Sequence, residues 1–61
     1  MTLKELHRYC IQTIREHPHH EVEIGNLYEL AVMEVEEGSS ESHECELAMN
    51  DIGELIKGYE E

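Results

Sequence analysis

At 61 residues the chain has room for one domain, and a domain that short buries only roughly 60% of the surface its unfolded form exposes, which excludes a large enclosed active-site cavity. Fifteen acidic against four basic side chains leave a net charge of −11, the opposite of the basic footprint that a groove-reading nucleic-acid binder lays on phosphates. The longest wholly apolar run, Leu30-Ala31-Val32-Met33, falls far short of the roughly 20 residues of a membrane-spanning helix.

The charge is segregated. Residues 1–20 hold Lys4, Arg8 and Arg15 against Glu5 and Glu16, a sum of +1, whereas residues 21–61 hold thirteen carboxylates against Lys57 alone, a sum of −12. Such a chain favours a basic partner. Met1 to Arg8 is polar and leads into no apolar core of a signal peptide. The two cysteines, Cys10 and Cys45, are too few for a disulfide framework and lie on apolar stripes, where a reduced thiol acts as a small hydrophobe. A soluble, cytoplasmic protein is the expectation.

Thr2-Leu3-Lys4-Glu5 reads as a capping box and opens the first helix, expected over residues 2–16. Its stripe is Leu3, Leu6, Cys10 and Ile14, widened by Ile11 and edged by His7, with Lys4, Arg8, Gln12 and Arg15 on the wet side. Pro18 disfavours helical backbone at His17 and ends it. His17-Pro18-His19-His20 is expected as a solvated turn, and Glu21-Val22-Glu23-Ile24 as a strand or an extended linker that tucks Val22 and Ile24 under the helices. Asn26 with Glu29 offers a second cap, for a helix over residues 27–37 that Gly38 stops. That helix is apolar around most of its circumference, so it is covered on more than one side, by its neighbours or by a second copy. A homodimer joined through Leu30, Val32 and Met33 is the expected outcome.

The third helix, over residues 40–59, carries the clearest pattern: Cys45, Ala48, Met49, Ile52, Leu55, Ile56 and Tyr59 recur three and four apart. Ser39 or Ser40 caps it, Glu41 and Glu44 suit its positive end, and Lys57 and Gly58 suit its far end. Asn50, Asp51 and Gly53 lower propensity enough for a local kink or a break near Asn50. The fold class is therefore all-α, a small three-helix domain. An α-β-β-β-α arrangement competes, with strands over residues 21–25, 31–37 and 41–49, but glutamate and alanine dominate where strands prefer branched and aromatic residues.

The stretch Glu34-Val35-Glu36-Glu37-Gly38-Ser39-Ser40-Glu41-Ser42-His43-Glu44-Cys45-Glu46-Leu47-Ala48, continued to Ile52, resembles small accessory proteins of tailed phages and prophages in its acidic helix end, Gly-Ser turn and following helix. The resemblance implies an interaction protein working inside a bacterial host, and carries no catalytic residue or cofactor with it. Glu34, Glu36, Glu37, Glu41 and Glu44 are the candidate partner-binding residues, a surface that either solubilises the chain or stands in for phosphates in the basic cleft of a host protein. A structural accessory homodimer is the alternative. No enzyme, metal, cofactor, direct nucleic-acid contact or membrane contact is expected. Zinc would need His7, Cys10, His43 and Cys45 together, and on a helix residues 43 and 45 point about 200° apart.

Overall fold

The computed structural model describes residues 1–60, and the side chains of residues 1–58. The described residues fold into three α-helices, α1 (Leu3–Glu16), α2 (Glu21–Glu36) and α3 (Glu41–Glu60), with a 3₁₀ turn over Pro18–His20 between the first two and no strand. The three segments that the α-β-β-β-α arrangement would make strands lie within α2 and α3, but for Glu37 at the cap of α2.

Caps fix the helix ends. The Glu5 amide donates to Thr2 Oγ1 at 3.3 Å, the first half of the expected box, but the Glu5 carboxylate accepts from the Thr2 hydroxyl at 3.5 Å instead of from the Thr2 amide, so the second half does not form. The Leu3 amide donates to Glu41 Oε1 at 3.0 Å, so a carboxylate from the start of α3 serves the start of α1. At the end of α2 the Gly38 amide reaches the Val35 carbonyl at 3.1 Å and the Ser39 amide reaches the Glu34 carbonyl at 3.0 Å. This is the paired bonding of a Schellman stop, and it requires the φ of +108° found at Gly38. Two residues later the His43 amide donates to Ser40 Oγ at 3.5 Å, capping α3. The hairpin of α2 and α3 is thus closed by a tight, fully bonded link.

Two expectations need correcting. Glu21–Ile24 is neither strand nor linker: α2 starts at Glu21, and Asn26 lies inside the helix rather than at its cap. The reason is that Ile24, Tyr28, Ala31 and Val35 already share one helical face, and Pro18 at the head of the 3₁₀ turn starts the helical path directly. Ile24 is fully buried but Val22 is 74% exposed, so the two are not tucked away together. Second, α3 runs unbroken through Asn50 and Gly53. Ala48 and Ile52 are buried on either side of that point, and burial of the stripe outweighs the local propensity. Tyr59, placed on the α3 stripe by its spacing, has its side chain outside the described residues.

The core takes one large, fully buried aliphatic from each helix, Leu6, Ile24 and Ile52, and fills the rest with Cys10, Ala31, Cys45 and Ala48. Small residues let the helix axes approach. On α1 the core also takes Thr13, whose hydroxyl donates to the Tyr9 carbonyl at 2.7 Å, while Ile11 stays 40% exposed. His20 is buried at 6% exposure, so the histidine turn is not the solvated loop its composition implies. The His17 and His20 rings sit 6.3 Å apart, and on the other side of α1 the His7 ring tilts against Tyr28 at 5.4 Å.

Leu6→Ala should cost about 2–5 kcal/mol. Against a total of roughly 3–9 kcal/mol for a chain this size, that loss should bring its urea midpoint to or near zero. An added methyl at either Gly38 or Gly53 meets no atom within 4 Å, yet their alanine variants should differ in sign. Gly53→Ala in mid-helix should stabilise by about 0.5–1 kcal/mol, and Gly38→Ala at its positive φ should destabilise by about 1–2 kcal/mol, both read from denaturation midpoints.

Candidate protein-interaction surface

Along the seam of α2 and α3 runs an open groove. Its wider part is about 710 Å³ and lies between Leu27, Leu30 and Leu55. A narrower part of about 200 Å³ continues it between Leu30, Ala31, Leu47 and Ala48 toward the Gly38 turn. All the described lining residues come from α2 and α3, so the groove lies on the side of the hairpin turned away from α1. Its origin is helical geometry. Ile24 and Ala31 point at the core, Leu27 lies about 40–60° and Leu30 about 100–120° round the helix from them, and Leu30 is left 54% and Leu47 44% exposed.

Five carboxylates stand around this apolar floor: Glu23 and Glu34 from α2, and Glu44, Asp51 and Glu54 from α3, with no lysine or arginine among the described lining residues. Glu34 and Glu44 are half-buried and both line the narrow part.

Of the five acidic residues singled out from the sequence, Glu34 and Glu44 line the groove. Glu36 and Glu37 are exposed at the C-terminal end of α2, outside its lining. Glu41 is exposed, but one of its oxygens holds the Leu3 amide. The rest of the rim, Glu23, Asp51 and Glu54, was missed in the sequence; the signal for it is a seven-residue repeat, in which Glu23 precedes Leu30, Leu27 precedes Glu34, Glu44 precedes Asp51 and Leu47 precedes Glu54. Of Leu30, Val32 and Met33, Leu30 lines the groove and Met33 lies only about 60° from it, both more than half exposed, whereas Val32, about 160° from Leu30, is half-buried.

The histidines and cysteines are dispersed. Among the described residues no three His, Cys, Asp or Glu side chains come together in a way that could hold a metal ion. Cys10 and Cys45 are reduced and buried, while His7 and His43 are exposed. Burial pushes the Cys10 thiol above its ordinary range, the reverse of what activates a nucleophile. Burial raises the Cys45 thiol too, with the nearby Glu41 carboxylate adding to it. Among the described residues no helix is long and apolar enough to cross a membrane. Comparison with known proteins finds no matching family model, no similar curated protein and no similar solved structure.

A folded state that keeps its thiols protonated is favoured only while the unfolded thiols are protonated as well. The two cysteines should therefore support stability fully below about pH 8.5 and progressively less as pH rises toward and through their raised folded values. Melting temperatures across the alkaline range should fall, and Cys45→Ala should flatten that fall. At neutral pH a thiol-specific disulfide reagent should label both cysteines only as fast as the chain opens.

Proposed function

We propose that the chain is a small protein-interaction module whose acidic α2–α3 hairpin docks on a basic surface of a host protein, of the kind that otherwise holds nucleic-acid phosphates. The observation that carries this reading is the segregation of charge on the fold. The cations Lys4, Arg8 and Arg15 sit on α1, while the hairpin exposes Glu23, Glu36, Glu37, Asp51 and Glu54 and has one lysine, Lys57, and no arginine among its described residues. Fixed carboxylates at helical spacing offer an array of anions that needs no reordering to meet lysines and arginines, and such complementarity speeds association and selects basic partners. The resemblance around the Gly38 turn supports a phage-type accessory role, and two reduced, buried cysteines suit the cytoplasm of a bacterial host. Inhibition or regulation of the host protein follows from occupying the surface it uses.

The test compares the chain with its variant Glu34→Gln, Glu36→Gln, Glu37→Gln, Glu44→Gln. Glu41 is left in place because it caps α1. Immobilised native chain should retain basic proteins from a bacterial lysate at about 0.15 M salt and release them by about 1 M, as the screening length falls from about 8 Å to about 3 Å. The variant should retain at least about tenfold less, a loss of some 1.4 kcal/mol in binding, with its melting temperature unchanged or raised. Retention indifferent both to salt and to the four substitutions would refute the proposal.

A further inference from the structure

We infer that the groove between α2 and α3 is the seat of a basic amphipathic helix from the partner protein. The inference rests on the reading of the chain as a module for basic partners, and specifies the element that docks. Length is the first argument. From Glu23 to Glu34 along α2, and from Glu44 to Leu55 along α3, the groove spans twelve residues on each wall, about 17 Å from first to last, which is three turns of a helix. Its floor of Leu27, Leu30, Leu47 and Leu55 takes an apolar stripe, and its walls set carboxylates on both sides of that stripe, where an amphipathic helix carries its flanking residues.

Charge decides the occupant. A second copy of the chain placed groove to groove would bring five carboxylates against the same five, whereas lysines and arginines beside an apolar stripe would meet every one of them, including Glu34 and Glu44 in the narrow part. A partner helix in the groove would place the hairpin between two amphipathic helices, α1 on one side and one supplied in trans on the other.

The probe is a fluorescein-labelled synthetic peptide of about twelve residues, three helical turns, with leucines three and four apart and lysine or arginine on the flanks. It is titrated with the full chain and compared with a shuffled peptide of equal composition. The patterned peptide should bind at least about tenfold more tightly than the shuffled one. Leu30→Gln with Leu47→Gln, both at exposed positions, should weaken it by at least about tenfold, while Val22→Gln, outside the groove, should change it by less than about twofold. Circular dichroism checks that each variant stays helical. Binding that survives Leu30→Gln with Leu47→Gln overturns the groove. If Glu36→Gln with Glu37→Gln abolishes that binding instead, the acidic-module reading stands without it. Equal, salt-sensitive binding of both peptides likewise leaves the acidic module and removes the groove. Failure of both peptides to bind removes both. A dimer in sedimentation equilibrium that Leu30→Gln with Leu47→Gln converts to monomer assigns the groove to a second copy, and overturns the inference.

Discussion

Everything in this fold hangs on the burial of Leu6, Ile24 and Ile52 against one another, one from each helix. Each is worth about 1.5–3 kcal/mol on complete removal from water, and no other described residue combines that size with full burial. The remaining core positions are small, so they contribute close approach rather than area. With a core this thin, the bonds at Thr2, Gly38 and Ser40 and the Glu41 bridge to Leu3 hold a helix arrangement that packing alone would leave loose.

Much of this was legible in the residues. Thr2 with Glu5, Pro18, Gly38 and Ser40 are local signals whose meaning does not depend on the rest of the chain, and they mark the limits of α1, the end of α2 and the start of α3. The start of α2 was not legible, because four residues of alternation at Glu21–Ile24 fit an extended segment as well as one turn of helix. The burial of Ile24 with Val22 left exposed decides between them. The burial of His20 was hidden for a similar reason: a run of three histidines and a proline has the composition of a wet turn, and nothing local says that one ring turns inward.

The acidic surface was half legible. Glutamates counted along the chain identify Glu34 and Glu44, but they also pick Glu36 and Glu37, which lie outside the groove, and Glu41, which is partly spent on α1. What makes a site is the pairing of one side of α2 with one side of α3, and that registration is set by the turn and the core. Leu30 shows the same point. In the sequence it belongs with Val32 and Met33 as one apolar run, whereas on the helix it belongs with Leu27 and, across the seam, with Leu47. Surplus apolar surface on α2 is real, and its exposed members Val22, Leu30 and Met33 fall within a sector of about 80° of the helix, with Val32 outside it.

The short connection through Pro18–His20 has a bearing on which side of the hairpin is open to others. It ties α1 to α2 by a few residues, so α1 meets its own side of the hairpin at an effective concentration set by the tether, of millimolar order or higher. A free helix with the same stripe and the same charges, present at micromolar levels, loses that competition by about a thousandfold from concentration alone. In a chain of 61 residues the tether thus assigns one face of the hairpin to α1 and leaves the other uncovered.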